Sequence, residues 1–217
     1  MASHNGQDYV EIGGIKWATM NIGASSVTDY GQYFQWGDTT GYLSGQCGSS
    51  GTTYAKPFNW ADYKFGNGTA SPDNSGLTKY NTSDTKAVLE LSDDAARANW
   101  GGSWRMPTVG EYGALGNAVT TAWTNSYQGS GVSGLVCTDN TDSSKVLFFP
   151  ACGYCYNGHI AYVSSGFYWP SSLRIQSNFA LNTYLLYFNN DEVNWQYIYW
   201  GRYYRYYGFP VRGVVDE

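Results

Sequence analysis

Apolar positions in the first third of the chain come in short runs, each ended by glycine or by an Asn/Asp turn. Val10-Glu11-Ile12 and Ile15-Lys16-Trp17-Ala18, with Gly13-Gly14 between them, read as a β-hairpin. Tyr33-Phe34-Gln35-Trp36, bounded by Gly31 and Gly37, reads as another short strand. From Asp38 to about Asn81 the pattern gives way to Gly, Ser, Thr and Asn with scattered aromatics. This predicts a long surface loop pinned by Phe58, Trp60, Tyr63 and Phe65, and loops of that length are uncommon unless they have a role.

Two helices follow. Ser92 is placed to cap one whose first turn holds Asp93 and Asp94, where carboxylates favour the positive end of the helix dipole. It should run through Ala95, Ala96 and Ala98 and stop at Gly101-Gly102. Thr108-Val109-Gly110-Glu111 is a capping box, and Val109, Tyr112, Leu115 and Val119 then recur at helical spacing. Strand patterns return at Leu135–Cys137, Val146–Phe149, Phe167–Trp169, Thr183–Phe188 and Val211–Val215. In Thr183–Asn189, Tyr184, Leu186 and Phe188 share one face, expected inward, and Leu185, Tyr187 and Asn189 share the other. The class is α+β: two helices with short antiparallel sheets and long loops.

The length of 217 residues suits one domain with a substantial core. Residues 1–7, including Met1-Ala2-Ser3-His4, read as an added leader standing where a natural export segment would have been, and 8–217 as one domain. Charged residues are scarce at 13%, but the aromatic content of 18% is far too high for disorder. A net charge of −5 argues against a nucleic-acid partner, which needs a basic footprint. No apolar run of membrane-spanning length is visible, so no direct membrane insertion is expected. The aromatic density peaks in WQYIYWGRYYRYY, Trp195 to Tyr207, with eight aromatic residues in thirteen. No single helix or half-buried strand requires that density. Tyr and Trp with Arg and Gly between them is the composition of a recognition surface, each ring offering a large contact area with few rotors to freeze.

Catalytic and metal constellations are weak by comparison. His4 and His159 are the only histidines, so neither a zinc helix nor a paired-His site can be built, and His159 reads as a surface turn residue. Gly129-Ser-Gly131-Val-Ser-Gly134 matches a dinucleotide fingerprint but precedes a strand pattern, so it reads as a flexible turn. Asp139, Asn140 and Asp142 concentrate hard oxygen ligands of the kind calcium takes, yet their spacing fits no EF-hand and they read as turn residues. Cys152-Gly-Tyr-Cys155 has the spacing of a redox pair but opens no helix, and buried thiols are the plainer reading. No metal, cofactor or catalytic residue is assigned, and the chain reads as a non-enzyme.

Several motifs agree in order: Gly14-Ile15-Lys16-Trp17-Ala18-Thr19-x-Asn21-Ile22-Gly23-Ala24, Tyr33-Phe34-x-Trp36-Gly37, Asn99-Trp100-Gly101-Gly102-Ser103-Trp104-Arg105-Met106-Pro107-Thr108-x-x-Glu111, and Phe149-Pro150-Ala151-x-Gly153-Tyr154. Over nearly the whole chain they resemble the major paralogous domain family of Bacteroidetes surface proteins. That resemblance implies a C-type lectin-like fold of the formylglycine-generating-enzyme type. The tail, with Tyr168-Trp169-x-Ser171-Ser172-Leu173, Leu186-x-Phe188, Val193-Asn194-Trp195, Arg205-Tyr206-x-Gly208 and Val211-Arg212, is similar to the constant framework of variable proteins diversified by a retroelement. In such systems template adenines are randomised, and one A-to-T change turns an Asn codon into Tyr. Trp is not one step away, so Trp200 fits that account less well.

The resemblance implies a variable region over about 168–212. Its exposed ligand-binding side chains would be Arg174, Gln176, Asn178, Phe179, Leu185, Tyr187, Asn189, Tyr197, Tyr199, Trp200, Arg202, Tyr203, Tyr204 and Tyr207. Trp169, Trp195, Leu186, Phe188, Val211 and Tyr206 would hold the scaffold. The segment from Val-Asn-Trp to Arg-Tyr is longer here than in the family pattern. The function implied is a hypervariable binding module for a protein or glycan ligand, monomeric, at the cell surface, outside the cell or on a phage particle. Besides an enzyme related to the formylglycine-generating enzymes, for which Cys152 and Cys155 are the only close cysteine pair, two alternatives stand beside it. One is a carbohydrate-binding surface domain that stacks sugars on Trp and Tyr. The other is a tyrosine-rich sheet face packed under the Asp38–Asn81 loop, with its rings mostly buried.

Overall fold

The computed structural model describes residues 2–47, 56–69, 76–173, 182–197 and 203–216. Among them are two α-helices and several short antiparallel sheets, an α+β arrangement as expected. The largest sheet has the order β1 (Ala2–His4), β2 (Gln7–Ile12), β3 (Ile15–Ala18), β15 (Val214–Val215), β5 (Trp104–Arg105). The β2–β3 hairpin closes with Ile12 opposite Ile15. Gly13 and Gly14 between them sit at φ +61° and +78°, the left-handed pair that a two-residue hairpin turn of matching twist demands. Residues 2–4 pair with residues 7–9, the His4 carbonyl accepts from Trp104 Nε1 at 2.9 Å, and His4 Nε2 accepts from the Ser103 amide at 3.0 Å. Residues 2–4, within the segment read as a leader, form an edge strand of the main sheet.

Helix α1 (Ala95–Trp100) begins later than expected. Ser92 lies in a 3-10 turn, and Asp94 is the cap, accepting from the Arg97 amide at 3.0 Å. Its second oxygen accepts from the Met106 amide at 2.8 Å, so one carboxylate caps the helix and ties it to the chain ahead of the next; a serine hydroxyl has no second oxygen for this. Helix α2 (Val109–Ala118) starts with the capping box read from the sequence, Thr108 and Glu111 bonding each other's amides at 2.6 and 3.2 Å. Tyr112 and Leu115 are fully buried, but Val119 has left the helix and opens a strand. That strand, β6 (Val119–Thr124), pairs with β7 (Gly134–Asp139), which pairs with β8 (Val146–Pro150).

The remaining strands frame the C-terminal half. β4 (Tyr33–Phe34) pairs with β14 (Phe209–Pro210), and β9 (Tyr154–Tyr156) with β10 (His159–Ala161). β11 (Gly166–Tyr168), β12 (Leu185–Phe188) and β13 (Val193–Tyr197) form a three-stranded sheet with β12 central. The amide and carbonyl of Cys155 exchange hydrogen bonds with those of Gly208, at 2.8 and 2.9 Å, which joins β9 to the chain entering β14. The long loop is pinned as expected, with Phe58, Trp60, Tyr63 and Phe65 all buried.

Arg212 is a buried hub. Its guanidinium donates to Asn21 Oδ1 (2.9 Å) and to the carbonyls of Ala18 (3.2 Å), Thr19 (3.1 Å) and Phe148 (3.0 Å), and lies over the Phe149 ring. This fastens β3 and β8 to the chain leading into β15. No helix among the described residues is long and apolar enough to cross a membrane.

Candidate functional site: an aromatic face on the C-terminal sheet

Packing on both sides of β12 decides which of the predicted contact residues reach the surface. The alternation read from the sequence holds for Leu186 and Phe188, which enter the core shared with Tyr112 and Leu115 of α2, whereas Tyr184, expected inward with them, is half-buried. The other side does not meet solvent at first. Leu185 joins the core of Phe167, Trp169 and Phe209 and is fully buried. Leu185 is therefore a core residue and not a ligand contact. The pairing with β13 shifts register between Leu185 and Tyr187, and Tyr187 is half-buried.

From there the rings make a continuous cluster. Tyr187 packs on Tyr197 (centroids 5.1 Å apart) and on Phe167 (5.2 Å), and Tyr197 packs on Tyr203 (6.2 Å). Tyr203 also meets Phe167 at 5.1 Å and the edge of Tyr154 at 5.7 Å. Tyr204 stacks on Tyr206 at 5.2 Å and 9°. Tyr187, Tyr197, Tyr203 and Tyr204 are all half-buried, resting on one ring and showing another side to water. Burial, reinforced by the neighbouring tyrosine hydroxyls, pushes the Tyr203 hydroxyl well above the ordinary phenol range, so it stays a neutral donor and acceptor. Arg205 turns away from the face: it is fully buried over Trp36 and donates to the Tyr80 carbonyl at 3.0 Å.

Two further residues differ from the expected contact set. Tyr207 is only 7% exposed, stacked on Tyr154 (5.4 Å, 6°) and tilted against Tyr156 (4.5 Å), so it forms the floor of the face. Asn189 is committed to its turn. Its amide nitrogen donates to the Tyr187 hydroxyl at 2.7 Å, and its oxygen accepts from the amides of Asp191 and Glu192. Arg174, Gln176, Asn178, Phe179, Tyr199, Trp200 and Arg202 lie outside the described residues. The reading of rings packed under the long loop holds for one of them: Tyr206 is buried, edge-on to Trp60.

The scaffold residues are placed as expected. Trp169, Leu186, Phe188 and Val211 are fully buried, and Trp195 lies half-buried against Gly116 of α2. The sequence reading missed the floor itself, Tyr154, Tyr156 and Phe167. Their signal was the Tyr154-Cys155-Tyr156 triplet, with aromatics on both sides of a cysteine.

The cysteines do not form the C-x-x-C pair. Cys155 is joined to Cys47 in the long loop, and Cys152 is a free, fully buried thiol that burial pushes up to about 12. The Asp139 carboxylate accepts from Thr141 and from the Asp142 amide, as a turn residue does. Among the described residues no three His, Cys, Asp or Glu side chains gather as a metal site. Compared with family models, with curated proteins and with solved structures, the chain matches none.

Proposed function

We propose that this chain is a hypervariable binding module on a C-type lectin-like scaffold, diversified by a retroelement, which holds a macromolecular ligand on its aromatic face. The observation that carries this reading is the convergence of Tyr187, Tyr197, Tyr203 and Tyr204, from separate stretches of chain, into one half-exposed cluster over buried rings. Tyrosines fixed at the base and wet at the tip give contact area at a low entropic cost of ordering. The buried framework of Trp169, Leu186, Phe188 and Val211 supports the same reading, because a surface that is rewritten needs an underside that is not. The Cys47–Cys155 disulfide fits an oxidising compartment, hence a location outside the cell or on its surface.

A test lies in the gene's neighbourhood. Sibling copies are expected to differ at Tyr197, Tyr203 and Tyr204 through adenine-specific changes, with a reverse transcriptase and a near-repeat of the segment close by. Invariance of these three positions among siblings overturns the proposal. On the protein, truncating a central ring such as Tyr203 to alanine is expected to weaken binding by about 2 kcal/mol.

A further inference from the structure

We propose that the binding surface includes a fixed knob outside the variable segment, Tyr162–Val163 in the turn between β10 and β11, and that it seats in an apolar recess of a protein ligand. This rests on the binding function proposed above and adds a contact that no randomised codon would supply.

Among the described residues, Tyr162 and Val163 are the most exposed large apolar side chains, at 59% and 56%. They are adjacent, and single exposed apolar residues are ordinary where contiguous ones are not. Tyr162 sits at φ +55°, a region that bulky side chains avoid. The turn holds it there. The Ser165 amide donates to the Tyr162 carbonyl at 2.9 Å, and the Gly153 amide donates to the Ser165 carbonyl at 2.8 Å. Gly153, at φ +63°, approaches so closely that a Cβ there would lie 2.2 Å from the Ala161 carbonyl oxygen. Backbone strain kept in place by its surroundings is a recurrent mark of ligand-contacting positions, and a turn that is already rigid loses little on binding.

The knob is continuous with the aromatic face. The Tyr162 ring stacks on Tyr154 (5.6 Å, 13°), Tyr154 stacks on Tyr207, and Tyr203 meets Tyr154 edge-on. A ligand resting on Tyr203 is therefore one ring away from Tyr162. The chemistry of the pair selects the ligand class. Tyr162 alone would suit a sugar, but Val163 beside it has neither a hydrogen-bonding group nor a flat face to stack. An apolar recess in a protein buries both.

The test uses the whole chain displayed on yeast with Tyr197 and Tyr204 randomised, Tyr203 retained, and sorted against purified lysozyme as the probe. Selected clones then receive Tyr162→Gly, which suits φ +55° and keeps the turn folded, and separately Val163→Ser and Tyr203→Ala. The proposal expects at least tenfold weaker lysozyme binding with Tyr162→Gly and a severalfold loss with Val163→Ser, at a thermal midpoint close to the parent's. Clones that keep their affinity within twofold on Tyr162→Gly and Val163→Ser, yet lose it on Tyr203→Ala, overturn the knob and leave the aromatic face standing. A library with no binder, or clones indifferent to Tyr203→Ala, overturns both.

Discussion

Tyr154 and Tyr207 lie face to face, 5.4 Å between centroids and 6° between planes, and this stack joins the β9–β10 hairpin to the chain entering β14. Both rings are 7% exposed. Either substitution to alanine is expected to lower unfolding free energy by about 3 kcal/mol. The double variant should lose less than the sum by about 1 kcal/mol, the part belonging to the ring pair. Denaturant titration of the four proteins measures it, and strict additivity would show that the rings stabilise independently.

The Cys47–Cys155 disulfide closes a span of 108 residues and ties the start of the long loop to β9. Constraining a loop of that size in the unfolded chain gives about 4–5 kcal/mol in the chain-entropy account. The Cys47→Ser, Cys155→Ser variant is expected to be less stable by a large part of that. A thiol titration of the denatured, unreduced protein should find only Cys137 and Cys152, and neither should react while the protein is folded.

Two buried arginines should behave in opposite ways. Arg212 satisfies Asn21 and three backbone carbonyls, so Arg212→Met leaves four acceptors, three of them buried, without their donor and is expected to cost about 3 kcal/mol or more. Arg205 is equally buried, but its Nε and one terminal nitrogen have no hydrogen-bond partner, and burial lowers its pKa. Removing a desolvated charge offsets the loss of its bond to Tyr80, so Arg205→Met is expected to change stability by about 1 kcal/mol or less. Thermal or chemical denaturation ranks the two, and an equal cost would refute the distinction.

Asp93 supplies an acid-sensitive element. Burial alone would raise its pKa, but bonds from Lys64 (2.8 Å), Lys79 (2.5 Å) and Tyr80 (2.7 Å) outweigh that and hold it at about 2 against an ordinary 3.8. Because the folded value lies below the unfolded one, its contribution is complete above about pH 4 and fades as the pH falls through 2. The stability difference between the parent and Asp93→Asn should therefore shrink across that window. A difference constant from pH 5 to pH 2 would contradict the assignment.

Much of the frame was legible because its signals are local. The Thr108–Glu111 box, the Gly13-Gly14 hairpin and the aromatic pins of the long loop each fall within a few residues of sequence. The site was only partly legible. Period-two alternation separated Leu185 and Tyr187 from Leu186 and Phe188, but it could not tell that the first face meets a second core before it meets water. Tyr207 was misjudged for the same reason, since its partners Tyr154 and Tyr156 are distant in sequence. β6 was hidden by Val119, which continues the helical spacing of α2 while already in a strand. His4 gave no local signal of its bonds to Ser103 and Trp104.

The reciprocal bonds between Cys155 and Gly208 have a consequence for how the segment before them can change. Tyr197 is held opposite Leu185 at one end, and Gly208 is held at the other, where a Cβ would come within 2.4 Å of the Phe58 ring. Residues inserted between these two fixed points leave the spacing from Gly208 to Arg212 and Val214 untouched. A change in the number of residues there would therefore leave the register of the closing strands constant.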